Sequence, residues 1–279
     1  MANLEALRKF FADLITAGAG VDRKNERIRA AFASVRREQF VGAGPWSIFT
    51  PIGYIETPTD DVSFLYQDVT VALEREGNIN NGQPMLHALC IAALNVQEGE
   101  TVVHVGAGTG YYTAVLSYLA GASGFTHAFE IQPGLADRAR HNLESLPNVS
   151  VHCCSGSDTQ LPQCDVVYVN AGATEPAQSW LDSLRVGGRL LFPLTGTNNY
   201  GGMLMVKRVE NRQFEARFIC RAAFIPCTGA RNEDLSQPLS TAFQTKDIAS
   251  VRSLRLGTPP DESCWFAGVN SWLSTVAVI

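Results

Sequence analysis

The chain has 279 residues, 46% of them hydrophobic and 18% charged, with a formal net charge of −5. This length and apolar content support a large buried core and exclude a disordered chain. The acidic balance leaves no electrostatic footprint for nucleic acid, and no apolar run reaches the roughly 18 residues that a membrane span needs.

Residues 1–40 read as two helices. Leu4, Leu7, Phe11, Leu14 and Ile15 form an apolar stripe, Gly18-Ala19-Gly20 breaks it, and a second helix runs over about 26–32. Residues 42–63 mix Gly, Pro, Thr and Asp with Trp46, Phe49 and Tyr54, and read as a loop or a small surface excursion. A helix over 84–94 starts at Pro84, a tolerated first-turn position. Strands over 101–105, 125–130, 149–153, 165–169 and 189–193 then alternate with helices over about 111–120, 134–145 and 176–185. Such alternation predicts an α/β fold with a doubly wound, mostly parallel sheet. Arg185-Val186-Gly187-Gly188-Arg189 reads as a helix-to-strand turn with glycine at the helix end. Runs over 203–209 and 214–220, split by Glu210-Asn211-Arg212-Gln213, predict a terminal antiparallel hairpin. No internal repeat interrupts this plan.

The seven cysteines (Cys90, Cys153, Cys154, Cys164, Cys220, Cys227, Cys264) form no C-x-x-C pair, and no histidine stands at a zinc-ligand offset, so no metal site is expected. Cys153 and Cys154 fall in an apparent strand and should face opposite sides. Buried, reduced thiols and the lack of a secretory leader pattern place the protein in the cytoplasm.

The most telling segment is Val102-Val103-His104-Val105-Gly106-Ala107-Gly108-Thr109-Gly110-Tyr111-Tyr112. A β-branched run enters three glycines at alternate positions and an apolar helix follows, as in a nucleotide-binding α/β unit. A dinucleotide fingerprint requires its third glycine at 111, where this chain has Tyr. The earlier glycine at 110 suits a ligand without a diphosphate, such as S-adenosylmethionine, whose amino-acid tail passes under bare backbone. Glu130 ends the next strand about 20 residues beyond the turn, where a carboxylate accepts ribose hydroxyls.

Several blocks stand in a familiar order: Ala31-Phe32-Ala33-Ser34-Val35-Arg36-Arg37-Glu38-Gln39-Phe40-Val41, Gly82-Gln83-Pro84, the glycine turn, Gly156-Ser157-Asp158, Asp165-Val166-Val167-Tyr168-Val169-Asn170-Ala171-Gly172, Gly187-Gly188-Arg189-Leu190-Leu191-Phe192-Pro193 and Phe224-Ile225-Pro226-Cys227. From about residue 26 to 231 the chain resembles the protein-L-isoaspartate O-methyltransferases, a family of S-adenosylmethionine-dependent enzymes. The resemblance implies a seven-stranded, Rossmann-like methyltransferase sheet whose last strand is antiparallel. It also implies a division into N-terminal helices with a substrate-side loop (1–83), a cofactor-binding methyltransferase domain (84–231) and a C-terminal extension (232–279). Three positions depart from the family pattern: His104 replaces an acid, Ser157-Asp158 stands in place of Asp-Gly, and Gly82 replaces a Ser whose hydroxyl lies beside the substrate carboxylate. The first two bear on cofactor affinity and the third on isoaspartyl repair.

The candidate cofactor residues are therefore Gly106, Gly108, Gly110, Glu130, Ser157, Asp158 and Asn170. Ser157 and Asp158 face the adenine or simply form a turn. Asn170 follows the fourth strand at the carboxyl edge, where it touches cofactor or substrate or caps a helix. Gly82, Gln83 and Asn170 are the substrate-side candidates; Gln83 either orders the loop over the cofactor or is an ordinary residue before a helix. His87, Tyr111 and Tyr112 read as packing, and His104 as a buried neutral imidazole or a water-mediated cofactor contact. No catalytic residue stands out. A carboxylate acceptor needs no general base, and none is evident, so transfer to a carboxylate of a peptide or protein is the leading expectation. A different peptide or small-molecule acceptor, or cofactor binding without turnover, are the alternatives.

Overall fold

The structure, a computed structural model, describes residues 3–22 and 25–278. Helix α1 (Leu4–Gly18) begins at Asn3, whose side chain accepts from the Glu5 and Ala6 backbone N–H groups that lack helical partners. Its buried face is Phe11, Ala12, Ile15 and Thr16, whereas Leu4 and Leu14 of the expected stripe are exposed. Asn25 caps α2 (Glu26–Ser34) in the same way. The aromatic-rich excursion folds into an antiparallel hairpin, β1 (Ser47–Thr50) and β2 (Gly53–Glu56), followed by the short pair β3 (Ala72–Glu74) and β4 (Ile79–Asn80). A small core of Val41, Trp46, Leu65 and Val71 packs beneath this region.

The regular part continues through α3 (Pro84–Leu94), β5 (Thr101–Val105), α4 (Tyr111–Ala120), β6 (Phe125–Glu130), α5 (Pro133–Leu143), β7 (Val149–Cys153), β8 (Cys164–Val169) and α6 (Gln178–Ser183). It ends with β9 (Leu184–Thr195), β10 (Tyr200–Glu210), β11 (Gln213–Ala223), α7 (Ser236–Thr245), β12 (Ser253–Leu256), β13 (Cys264–Ala267) and β14 (Ser271–Ser274).

The chain divides into two units, Met1–Gly99 with Ala107–Cys153, and Glu100–Gly106 with Cys154–Ile279. In the first, β6 and β7 pair in parallel, Thr126 opposite Val149 and Glu130 opposite Cys153, and α5 packs on both. In the second, β5, β8 and β9 are parallel neighbours, and their Val-rich runs are buried on both faces as parallel strands must be. Antiparallel pairing then carries the sheet through β10, β11, β12, β14 and β13. This mixed α/β architecture is the expected class. In the second unit three short strands of the extension lengthen the sheet beyond β11. Trp265 of β13 is buried against Phe218 and Phe243, with ring centroids 5.3 and 5.2 Å away, so the extension's aromatics cover the sheet.

Two local expectations fail. The glycines at 187–188 do not terminate a helix: α6 stops at Ser183, Leu184 already pairs with Cys164, and the register then jumps to Arg189 opposite Val166. The intervening residues form a bulge, which Gly187 permits by adopting φ +85°. Cys153 and Cys154 are exposed rather than buried, and Cys154 lies beyond the end of β7. Among the described residues, no helix is long and apolar enough to cross a membrane.

Candidate functional site

In the first unit the glycine turn is fastened at each step. Ala107 N–H donates to Phe129 O (3.1 Å), Gly110 N–H to Ala107 O (2.9 Å), and the buried Thr109 hydroxyl to Phe40 O (2.6 Å). Asn142 Nδ2 donates to Thr109 O (2.9 Å) from α5. Glu130 closes the turn: its Oε2 accepts from Gly108 N–H (2.7 Å) and its Oε1 from Gln132 N–H (2.9 Å). Burial pushes its carboxyl above the ordinary value of 4.5, while the backbone donors of Gln132, Gly108 and Ile131 pull it down. An ionised carboxylate accepts about four hydrogen bonds. Three backbone donors reach it here, so acceptor capacity for a ligand hydroxyl remains.

Gly108 and Gly110 adopt φ +57° and +96°, a region costly for side-chain-bearing residues. Their surroundings separate their roles. A Cβ on Gly110 would lie 2.7 Å from Leu143 Cδ1, so this glycine serves helix packing rather than ligand approach. Gly110 is also the N-cap of α4 and offers no capping side chain.

The second unit contributes Gly106, His104 and Asn170. Gly106 has φ +74°, a strained conformation for any other residue, with the Asn170 carbonyl carbon 3.4 Å from where a Cβ would stand. Asn170 N–H donates to Val105 O (2.8 Å), which places the residue just beyond the carboxyl end of β8, beside β5. Its Nδ2 meets His104 Nε2 at 2.7 Å. An amide nitrogen only donates, so the neutral imidazole carries its proton on Nδ1. Burial pushes the His104 pKa down to about 3. His104 is therefore a neutral core imidazole stacked beside Tyr168 (5.6 Å), with the Asn170 amide at its Nε2. Asn170 Oδ1 is left buried with no hydrogen-bond partner among the described residues. An orphaned amide oxygen at a strand's carboxyl end is where a ligand donor belongs.

Ser157 and Asp158 have distinct surroundings. The Ser157 hydroxyl donates to Thr228 O (2.7 Å) and ties the turn after β7 to the segment following β11. Asp158 is exposed, with its carboxylate lying over Gly229, where a Cβ would meet Oδ1 and Oδ2 at 2.3 Å. Asp158 thus retains acceptor capacity, while the Ser157 hydroxyl is occupied holding the turn.

Of the substrate-side candidates, Gly82 and Gln83 lie in the first unit and Asn170 in the second. Gln83 is exposed and donates to Asp68 Oδ2 (2.7 Å), while Asp68 Oδ1 accepts from Met85 N–H (2.8 Å) and so caps α3 from a distance. Gly82 has φ +70°, and the space for its missing side chain is filled: a Cβ would lie 2.1 Å from His87 Nε2. The buried His87 ring is stacked on Tyr112 with centroids 3.7 Å apart. Burial raises the Tyr112 phenol well above its usual range. Gly82 and His87 are consequently a matched pair, which neither position reveals alone. Arg37, fully buried, donates to the Leu65, Gln67 and Val69 carbonyls and so shapes the segment carrying Asp68. It sits in a quoted sequence block, but only the fold shows what it holds.

Against known proteins, the family model described as Protein-L-isoaspartate(D-aspartate) O-methyltransferase matches residues 9–232. Protein-L-isoaspartate O-methyltransferase of Thermotoga maritima is 28% identical over 82% of this chain and 70% of its own length. The enzyme of that name from Methanothermobacter thermautotrophicus is 26% identical over 81% of this chain and 96% of its own. Among solved structures, a putative protein-L-isoaspartate O-methyltransferase from Plasmodium falciparum, in complex with S-adenosyl-L-homocysteine, superimposes with a TM-score of 0.63 at 15% identity. It covers 80% of this chain and 98% of that one. This last likeness is one of fold.

Proposed function

The chain belongs to the protein-L-isoaspartate(D-aspartate) O-methyltransferase family, and on that premise we propose that it transfers a methyl group from S-adenosylmethionine to a carboxylate of a peptide or protein. The observation that carries the cofactor assignment is the Glu130 carboxylate, gripped by Gly108 N–H at 2.7 Å and Gln132 N–H at 2.9 Å yet with acceptor capacity remaining. In this reading Glu130 receives the ribose hydroxyls. Gly106 and Gly108 shape the bare turn beside the methionine tail, and Gly110 lets that turn pack on Leu143 of α5. The orphaned Asn170 Oδ1 takes a donor, either the cofactor's ammonium group or one on the acceptor. Asp158 accepts from the adenine amine, and Ser157 keeps its turn in place. Residues 84–231 form the cofactor-binding domain, 1–83 the substrate side, and 232–279 an added edge.

The chemistry that the cofactor supplies when bound is a sulfonium methyl group, an electrophile with a good leaving group. The protein's share is alignment and exclusion of water, and positioning of this kind contributes roughly 7–11 kcal/mol. A carboxylate acceptor is ionised at neutral pH, so no residue has to remove a proton. His104, neutral and bonded to Asn170, orients that amide and is not a base.

A second reading keeps the reaction and changes the acceptor. It is favoured by one observation: His87 Nε2 occupies the space that a residue-82 side chain would fill. An imidazole in place of a hydroxyl presents a different donor–acceptor pattern to the incoming carboxylate. Incubation with methyl-labelled cofactor and paired isoaspartyl and aspartyl peptides tests the proposal. Base-labile label on the isoaspartyl peptide supports repair activity. Label appearing only on other acceptors moves the assignment to the second reading, and no transfer to any acceptor refutes both.

A further inference from the structure

Away from the glycine turn, the β6–β7 pair carries His127, Ser150 and His152 on one face, since His127 lies opposite Ser150 in the parallel register and His152 is two residues further along. Their polar atoms converge. His127 Nδ1 and His152 Nε2 are 3.4 Å apart, and the Ser150 hydroxyl is 3.0 Å from each. All three residues are partly exposed. We propose that His127 and His152, with the Ser150 oxygen as a third contact, form a binding site for a divalent transition cation of the Zn2+, Ni2+ or Cu2+ type.

Without an ion these are hydrogen-bond contacts among the two rings and the hydroxyl, and the same spacing admits a metal. An ion about 2.0–2.1 Å from two imidazole nitrogens, the usual bond length, subtends roughly 110° when they are 3.4 Å apart, close to a tetrahedral angle. With Ser150 Oγ at 3.0 Å from both, one point lies about 2 Å from all three atoms. The rings are also held in advance. His152 stacks on Phe129 with centroids 4.6 Å apart, and Phe125 packs on His127 at 4.7 Å. Both backbones are fixed by the parallel ladder, so little side-chain freedom is lost on binding. On binding, each ring moves its proton to the nitrogen that faces away, His127 Nε2 and His152 Nδ1, and presents a lone pair to the ion. The charge of Arg140 reaches His152 from α5, although its guanidinium pairs with Asp137 at 2.5 Å. The absence of a carboxylate ligand selects against Mg2+ and Ca2+, which want oxygen donors.

The experiment is titration of the untagged chain with Zn2+ by calorimetry and with Co2+ by absorption. The expected result is one equivalent bound with no thiolate charge-transfer band, and weakening by about 100-fold in either H127Q or H152Q, each of which removes one of the two imidazoles. The exposed Cys153 and Cys154 remain in both variants, so equal binding by wild type and variants, or a thiolate band, overturns the assignment. In the wild-type protein, ring NMR signals of two of the five histidines should shift on adding Zn2+. A shift confined to any other histidine, or no binding at all, also overturns it.

Discussion

Restoring a serine at position 82 is the obvious way to seek isoaspartyl activity, and the structure predicts that this change alone fails. Gly82 sits at φ +70°, where a side chain costs about 1–2 kcal/mol of backbone strain. Its Cβ would lie 2.1 Å from His87 Nε2, so the imidazole has to leave its stack on Tyr112. Overpacking of this kind costs about 1–3 kcal/mol, and the lost stack falls within that range. G82S should therefore destabilise by about 2–5 kcal/mol. H87A removes a buried ring and should cost about 2–4 kcal/mol through the space it leaves. In G82S/H87A the serine enters that space and only the backbone strain adds. The double variant should then be about 2 kcal/mol more stable than the two single effects sum to, in the range expected for touching residues. Urea unfolding of the four proteins, compared at equal m-values, measures this coupling. A coupling within about 0.5 kcal/mol of zero, the scatter of independent sites, would refute the matched-pair reasoning.

Two further outcomes follow from buried groups. His104, with its pKa pushed down to about 3 from 6.5, stays neutral in the fold while the unfolded chain takes up a proton. Its contribution to stability is fully present above pH 6.5 and is lost as pH falls toward 3, with a slope of up to about 1.4 kcal/mol per pH unit. H104Q should flatten that limb of the acid-unfolding curve, and an unchanged limb would contradict the burial argument. W265A removes a side chain packed on Phe218 and Phe243 and should cost about 3–5 kcal/mol in chemical unfolding. A loss below about 1 kcal/mol would mean that the extension does not share the core of its unit.

Much of this architecture is legible in the residues. The bounds of β5, β6 and β7 coincide with the strands read at 101–105, 125–130 and 149–153, because glycine or proline punctuates them. Spacing marks Glu130 as a ribose acceptor, while its bond from Gly108 N–H emerges only in the fold. What resisted reading depends on packing. The strands β12–β14 are four residues each, too short for a period-two pattern to declare itself. The bulge in β9 uses the same two glycines that would end a helix, and only pairing with β8 decides between them. Gly82 looks like a simple loss of a hydroxyl until His87, one helical turn into α3, is seen in its place. Asp68 capping α3 and Thr109 holding the Phe40 carbonyl join residues 17 and 69 positions apart, beyond the reach of any local pattern.

The claim that matters most is that Glu130 and the glycine turn hold S-adenosylmethionine. Calorimetry with S-adenosylhomocysteine on wild type and E130Q tests it directly. The account predicts one site in the wild type, affinity lower by about 10–100-fold in E130Q, as for loss of charge-assisted hydrogen bonds, and wild-type affinity that falls on acidification at a pH above 4.5, because burial raises the carboxyl that must stay ionised. No binding by the wild type, or equal binding by the two proteins, would contradict it.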